Sequence, residues 1–261
     1  MARNTRRPTA PSAREELVQL AIDLDLTALA EALPELLSQA EKHSPSFTDF
    51  ALGMFRAEAT ARTNRRLERS LRRSRLGAVE GLEDFDFQAR PDLDPRLVKE
   101  LLNCRFVQEH RNILCLGRPG LGKTRLAKAI LHAACLAGYS VLNVLTAEMI
   151  EDLHASQADG TFKRAFRRYV KPDVLLLDEF AYQPFSSEAT AYLFRVVSAR
   201  HRQASTVLTA NSGFTNWKNL FPSEATAVAT ADRLVDAATI LRFTGKSFRK
   251  PREIIGAPLE D

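Results

Sequence analysis

Ile113-Leu-Cys-Leu-Gly-Arg-Pro-Gly-Leu-Gly-Lys-Thr124 joins an apolar run to a glycine-rich loop, and Arg125-Leu-Ala-Lys-Ala-Ile130 follows with the composition of a helix. Glycines let the backbone approach a ligand closely, so successive amides point at phosphate oxygens in front of a helix N-terminus. The order strand, loop, helix therefore predicts a phosphate-binding loop. Its expected contact residues are Gly117, Arg118, Pro119, Gly120, Leu121, Gly122, Lys123, Thr124 and Arg125.

Two residues of this loop carry specific expectations. Lys123 would reach the β- and γ-phosphates of a nucleotide, and the hydroxyl of Thr124 would bind Mg²⁺. The alternative is a glycine turn that matches the pattern by chance, and the strand before it and the helix after it weigh against that alternative. The loop thus predicts ATP and Mg²⁺ as cofactors.

A pair of acidic residues follows a second apolar run. Val174-Leu-Leu-Leu177 is typical of a buried strand, and it ends at Asp178-Glu179. We expect Asp178 to support Mg²⁺, directly or through water, and Glu179 to orient and polarise the attacking water. Two acids in a solvated turn are the alternative.

An asparagine follows a third apolar run. Ser205-Thr-Val-Leu-Thr209 is followed by Ala210-Asn211. An amide at this position would sense the γ-phosphate and hold the water in line. A loop asparagine that only forms a turn is the alternative.

Short apolar runs alternate with helical segments through the C-terminal part of the chain, which is typical of a parallel sheet covered by helices. The predicted fold is therefore α/β, with five parallel strands between helices. The predicted strands are 112–116, 140–145, 174–177, 206–209 and 239–243. The predicted helices are 123–137, 147–155, 161–169, 188–202 and 225–236.

The N-terminal part has a different pattern. Residues 1–12 are polar and predict a disordered tip, and helical spacing from Ala13 to Ala40 predicts one or two helices with a break at Pro34. A long helix is expected from Ser46 to about Leu76. The predicted domains are a helical N-terminal domain (13–77), a linker (78–111), an ATPase domain (112–250) and a tail (251–261).

Positive charge is concentrated in the second half of that long helix. The chain carries a net charge of +5, and seven arginines lie between Arg62 and Arg75: 62, 65, 66, 69, 72, 73 and 75. Such a helix can lie along DNA phosphates, so the N-terminal domain is expected to bind DNA or a protein partner. A solvated charged face is the alternative. No aromatic residue lies among these arginines, so we do not expect base stacking.

Composition excludes several classes of protein. No apolar run approaches the roughly 20 residues that cross a bilayer, and the N-terminus lacks the apolar stretch of a secretory signal, so we expect a cytoplasmic protein without a membrane partner. Three cysteines without paired spacing predict neither disulfides nor a structural zinc site. The only metal expected is the ion that accompanies the nucleotide.

With these motifs in order, the chain resembles the IstB-like transposition helper ATPases, an AAA+ branch of the P-loop NTPases near the DnaC helicase loaders and the initiator DnaA. The resemblance runs from about Leu17 to Arg249. Besides the phosphate loop, its specific parts are Glu83–Phe87, Leu177–Glu179, Tyr192–Arg200, Thr209–Asn211, Trp217, Asp232–Leu234 and Gly245–Arg249.

The resemblance implies further roles. Asn211 would be the sensor, and Arg233 would be an arginine finger that enters the ATP site of the adjacent subunit; a surface or helix-capping arginine is the alternative for Arg233. Arg200 could also line the subunit interface, and Arg249 is a weaker candidate for the ATP site. The family activity would be Mg²⁺-dependent ATP hydrolysis. ATP-dependent oligomers would assemble on duplex DNA, without sequence preference, and recruit and stimulate a transposase.

Two positions depart from the family pattern. Phe180-Ala181-Tyr182 stands where Gly-Tyr is usual, and Arg118 stands where proline is usual. A helicase-loader-like adaptor, in which the N-terminal helices hold a protein partner, remains as an alternative function. A metabolic kinase is disfavoured because Glu179, Asn211 and Arg233 suit hydrolysis by water.

Overall fold

The computed structural model describes residues 12–180, 182–245 and Ser247. The chain divides into two compact units, Met1–Arg69 and Ser70–Asp261. Three predictions fall outside the described residues. They are the disordered tip, of which only residue 12 is described, the tail at 251–261, and Arg249 as a candidate for the ATP site. In the part of the chain that is described, no helix combines the length and the apolar character needed to span a bilayer.

The first unit consists of helices. They are α1 (Ala13–Asp23), α2 (Thr27–His43) and the first part of α3 (Phe47–Ser74). Ser12 caps α1, because its hydroxyl accepts from the amide of Glu15 while the Glu15 carboxylate accepts from the amide of Ser12. The core between the helices is formed by Ala21, Leu29, Ala30 and Leu33.

The predicted break at Pro34 is wrong. Helix α2 continues through Pro34, and the chain turns earlier, at Asp25, whose φ is 56°. A proline inside a helix costs about 3 kcal/mol, whereas each fully buried leucine stabilises by about 1.5–3 kcal/mol. Leu29 and Leu33 are 4% and 0% exposed, so their burial offsets the missing hydrogen bond.

A buried carboxylate on α3 holds the start of α2. Glu58 is 4% exposed, and its carboxylate accepts hydrogen bonds from the Leu29 amide at 3.0 Å and from Arg62 Nε at 2.7 Å. Arg65 Nη2 donates to the same carboxylate at 3.1 Å. The hydrogen bond from Arg62 lowers the pKa of Glu58. Glu58 thus supplies the N-terminal cap that no side chain of α2 provides.

The second unit is built on a five-stranded sheet in the order β2-β3-β4-β1-β5, in which all neighbours are parallel. The strands are β1 (Asn112–Gly117), β2 (Val141–Leu145), β3 (Val174–Phe180), β4 (Ser205–Ala210) and β5 (Ala238–Phe243). All five predicted strands are present. Because β3, β4 and β1 are adjacent and parallel, the residues that follow them meet at one edge of the sheet.

Helices cover the sheet on both sides. The five predicted helices are present as α6 (Lys123–Leu136), α7 (Thr146–Ala158), α8 (Phe162–Val170), α9 (Ser187–Arg200) and α11 (Glu224–Val235). Three helices were not predicted: α4 (Pro95–Leu102), α5 (Arg105–Gln108) and α10 (Phe214–Trp217). Two of these lie in the predicted linker, where Asp94 caps α4 and Pro95 is its first residue. These signals are present in the sequence.

Arg200 does not line a surface. It is 1% exposed, and its guanidinium donates to the carbonyl oxygens of Tyr169, Pro172 and Ser205 at 3.0, 2.8 and 2.5 Å. Burial lowers the pKa of Arg200 to about 10. Ser205 begins β4, so Arg200 binds the edge of the sheet opposite the glycine loop. The interface role suggested for Arg200 is therefore wrong, since its donors bind backbone carbonyls inside the same unit.

Candidate functional site

The glycine loop leaves β1 and enters α6 in a conformation that requires its glycines. A Cβ atom on Gly117 would lie 2.2 Å from the Phe243 carbonyl oxygen. Gly120 and Gly122 have φ angles of 77° and 88°, which side chains disfavour. Arg118, at the position where the resemblance implies proline, is exposed. The substitution at position 118 therefore leaves the rest of the loop in place.

Lys123 lies inside the loop. Lys123 is only 6% exposed. Its Nζ atom donates hydrogen bonds to the carbonyl oxygens of Gly117 at 2.7 Å and Arg118 at 2.8 Å. Nζ also donates to Asn211 Oδ1 at 2.9 Å. The loop lysine and the asparagine after β4 are thus in direct contact, although 88 positions separate them in the sequence.

We expect Lys123→Ala to weaken ATP binding by about 100-fold. Hydrogen bonds to charged groups contribute about 1.5–3 kcal/mol each, so losing contacts to two phosphates removes about 3 kcal/mol or more, which is at least about 100-fold in affinity. Titration with a fluorescent ATP analogue measures the change. Lys128→Ala, on the same helix, is the matched control, and circular dichroism checks that both variants fold. Undiminished affinity in Lys123→Ala would remove the loop from the nucleotide site.

Two oxygen atoms converge behind the loop. Thr124 Oγ1 donates to Asp178 Oδ1 at 2.9 Å, and Asp178 is 6% exposed. Mg²⁺ takes hard oxygen ligands and commonly uses one or two protein groups beside substrate phosphates. A hydroxyl and a carboxylate in contact beside a phosphate loop fit that ion. Mg²⁺ would be held by Thr124 and Asp178, as the sequence predicts.

Glu179 lies on an irregularity of β3. The strand runs three residues beyond the predicted end at Leu177, and its pairing with β4 shifts between Leu177 and Phe180. At this bulge Glu179 has a φ of 53° and an exposed side chain. The sequence anticipated a strand that stops before the acidic pair. The structure instead carries the pair within the strand, so that Glu179 and Asn211 both line one pocket.

This pocket has a volume of about 850 Å³ and a second wall from residues 80–86. The Phe85 ring lies against the loop, since a Cβ atom on Gly122 would come within 2.9 Å of it. Arg125 donates to the Gly81 carbonyl oxygen at 3.0 Å and forms ion pairs with Glu80 and Asp84. Arg125 therefore lines the pocket while its guanidinium is bound to this wall.

Sequence reasoning gave no role to six residues that line the pocket (80, 84, 85, 86, 182 and 209), among them Phe85 and Thr209. Both belong to segments that carry the family resemblance, Glu83–Phe87 and Thr209–Asn211, but neither had been given a role. Their proximity to the loop depends on long-range packing. In the sequence, only the family resemblance pointed to these two residues.

Arg233 is half-buried and does not line this pocket. Asn112 Nδ2 donates to the carbonyl oxygens of Arg233 at 3.4 Å and Leu234 at 3.0 Å. Asn112 begins β1, whereas the glycine loop follows the end of β1, and a six-residue strand spans about 17 Å at roughly 3.3 Å per residue. The Arg233 side chain folds back along α11 and donates a hydrogen bond to the carbonyl oxygen of Ala229, one helical turn earlier. Arg233 is thus remote from the pocket of its own subunit.

Comparison with known proteins gives close relatives over most of the chain. The chain is 34% identical over 234 residues to the ATP-binding protein named for insertion sequence IS21 of Pseudomonas aeruginosa, covering 90% of this chain and 88% of the relative. It is 30% identical over 236 residues to that named for insertion sequence IS5376 of Geobacillus stearothermophilus, covering 90% and 94%.

Solved structures share the fold. The crystal structure of DnaI matches with a TM-score of 0.52 and 23% identity, covering 67% of this chain and 92% of that one. The fold is that of a P-loop NTPase of the AAA+ class, with helices preceding the sheet. The IstB-like ATP binding protein family matches residues 19–254. With its glycine loop, its acidic strand end and its insertion-sequence relatives in agreement, the chain belongs to the IstB-like ATP binding protein family.

Proposed function

We propose that this chain is a cytoplasmic, Mg²⁺-dependent ATPase whose ATP-bound copies assemble on duplex DNA and recruit a transposase. One observation carries the proposal. Among the residues that the structure describes, the only arginine lining the pocket of Lys123, Glu179 and Asn211 is Arg125, whose guanidinium is bound to residues 80–84, whereas Arg233 lies half-buried at the opposite edge of the same sheet. A site completed by a second copy makes assembly and hydrolysis depend on each other.

The pocket residues have separate roles in hydrolysis. Lys123 exchanges its loop carbonyl partners for the β- and γ-phosphates, and Asn211, already in contact with Lys123 Nζ, holds the attacking water in line. Glu179 accepts the proton of that water, since its carboxylate is exposed toward the pocket. Thr124 and Asp178 would hold Mg²⁺, which would neutralise charge on the phosphates. The finger of a neighbouring copy neutralises the charge that develops on the γ-phosphoryl group.

DNA contact is supported by α3. Its arginines are exposed, but Arg62 and Arg65 are engaged by Glu58 at 2.7 and 3.1 Å. Arg66 and Arg69 lie on one side of the helix, three positions apart. They are therefore better placed than Arg62 and Arg65 to bind phosphate oxygens.

A second basic helix also supports the proposal that the protein binds DNA. Helix α8 carries four exposed cations and no acid (Lys163, Arg164, Arg167 and Arg168), and a fifth exposed cation, Lys171, follows it directly. Like charges spaced by three or four positions destabilise a helix, and cations in its first turn oppose the helix dipole. Only Arg168 has a carboxylate partner among the described residues, Asp152 at 3.1 Å. A charge distribution that works against local stability fits an anionic ligand such as a DNA backbone.

The insertion-sequence names of the relatives support a role in transposition. Assembly is measured by mass photometry of the full chain with and without ATP, Mg²⁺ and duplex DNA. We expect large species only when all three are present. Nucleotide-bound species that stay small and ignore duplex DNA would favour the helicase-loader-like adaptor instead, in which the first unit holds a protein partner.

We expect the double variant Arg66→Glu/Arg69→Glu to bind duplex DNA more weakly than the wild type. Loss of two phosphate contacts lowers the slope of log affinity against log salt by about 2. Fluorescence anisotropy at several salt concentrations measures the slope. Lys42→Glu/Arg56→Glu changes the net charge equally in the same unit and is the control. An equal loss in the control would mean that net charge alone matters, and α3 would lose its assigned role.

A further inference from the structure

Two consecutive carboxylates at the end of β3 reach the same region: Glu179 lines the pocket, and Asp178 accepts a hydrogen bond from Thr124, which also lines it. A regular strand does not place successive side chains on one side. Successive side chains of a strand point to opposite faces of the sheet. Here the pairing shifts, so that Leu177 pairs with Leu208 and Phe180 with Ala210. Asp178 and Glu179 of β3 therefore lie opposite a single residue of β4, Thr209, as in a β-bulge.

The Thr209 side chain fills the position opposite this bulge. Thr209 is 2% exposed. Its Oγ1 accepts from the Glu179 amide at 3.1 Å and donates to Asp178 Oδ1. A hydroxyl group can donate one hydrogen bond and still accept others, and this one does both toward neighbouring residues of the same bulge.

The bonds hold a conformation that non-glycine residues seldom adopt. Glu179 has a φ of 53°, in the left-handed region. Its amide is also 3.2 Å from Asp178 Oδ1, the same atom that accepts from Thr124 Oγ1 at 2.9 Å. Asp178 Oδ1 is thus oriented by Thr209 from one side and by Thr124 from the other.

We propose that Thr209 is a positioning residue for ATP hydrolysis: its hydroxyl holds the bulge in which Asp178 faces Thr124 while Glu179 faces the pocket. The proposal rests on the ATPase function proposed above. Thr209 acts through the two carboxylates and does not need to touch the nucleotide. Valine at this position has nearly the same shape, but leaves the Glu179 amide without its hydroxyl partner.

The test compares Thr209→Val with Thr209→Ser and with a matched control, Thr206→Val. Thr206 lies on the same strand, is 3% exposed and accepts from Arg200 Nε at 3.2 Å, at the other edge of the sheet. We expect Thr209→Val to lower kcat about tenfold or more, as the loss of a buried hydrogen-bonding group predicts, with ATP affinity within about twofold of wild type. Thr209→Ser should restore most of the turnover.

A second readout needs no turnover. Hydrogen exchange in the nucleotide-free protein should be faster at the peptide containing the Glu179 amide in Thr209→Val, and unchanged there in Thr209→Ser and Thr206→Val. Unaltered exchange in Thr209→Val overturns the proposal, as does an equal loss of turnover in Thr206→Val. If the wild type itself hydrolyses no ATP, the ATPase function fails, and a positioning role in hydrolysis fails with it even if exchange shows that Thr209 holds the bulge.

Discussion

Arg233→Ala loses at least about 10³-fold of the ATP turnover of the assembled protein, the range typical of an arginine finger, while a single copy binds ATP as the wild type does. The physical reason is location. Arg233 lies at the edge of the sheet where β1 begins, and the pocket lies where β1 ends. Steady-state hydrolysis measured over a range of protein concentrations tests the prediction, together with ATP binding below the concentration of assembly.

A matched control separates the finger from ordinary packing. Arg233 stacks on the Phe194 ring at 4.6 Å, and Arg195 stacks on the Phe162 ring at 4.4 Å. Arg195→Ala therefore removes a similar cation–π contact and should keep its turnover. A wild type whose specific activity does not change with protein concentration would contradict a finger supplied by another copy.

Glu179→Gln lowers ATP turnover by about 10³-fold, within the range for loss of a general base, and leaves ATP affinity nearly unchanged. Glutamine keeps the shape of the side chain but cannot accept the proton of the attacking water. Because the nucleotide persists, the ATP-bound assembly should accumulate. Single-turnover hydrolysis and mass photometry measure both effects. Glu151→Gln, at an exposed position of α7, is the control, and normal turnover in Glu179→Gln would remove Glu179 from the reaction.

Mixing the two variants tests both roles together. Arg233→Ala retains an intact pocket, and Glu179→Gln retains an intact finger. A mixture should recover part of the turnover that each variant lacks alone, because a finger from one copy completes the pocket of another. Without any recovery, the in-trans assignment of Arg233 fails even if each single variant is inactive.

Local patterns were sufficient for the sheet of the second unit. Its three central strands, β3, β4 and β1, are buried on both faces, so each one is a short apolar run that stands out from the helical segments around it. The glycine loop was also predictable, because strand, loop and helix are contiguous. Prediction was weaker for α4 and α5, which occupy a segment whose acidic residues suggested a linker, although Asp94 and Pro95 are ordinary signals of a helix start.

The bulge at Glu179 could not be predicted from the sequence. Its signal is the register between β3 and β4, which depends on both strands and on the hydroxyl of Thr209. The break expected at Pro34 failed for a related reason. Local propensity disfavours the helix there, and the burial of Leu29 and Leu33 in the core of the first unit outweighs that propensity.

The sequence by itself determined the phosphate loop, the strands that lead into it and the order of the elements, because these depend on neighbours in the chain. Only the tertiary structure distinguished Arg200 from Arg233. Each lies in the last turn of a helix that precedes a strand, so local sequence treats them alike. Arg200 is buried against carbonyl groups of its own unit, whereas Arg233 is half-buried and remote from its own pocket. That difference is set by which distant backbone groups come within hydrogen-bonding distance of each guanidinium, and folding alone decides it.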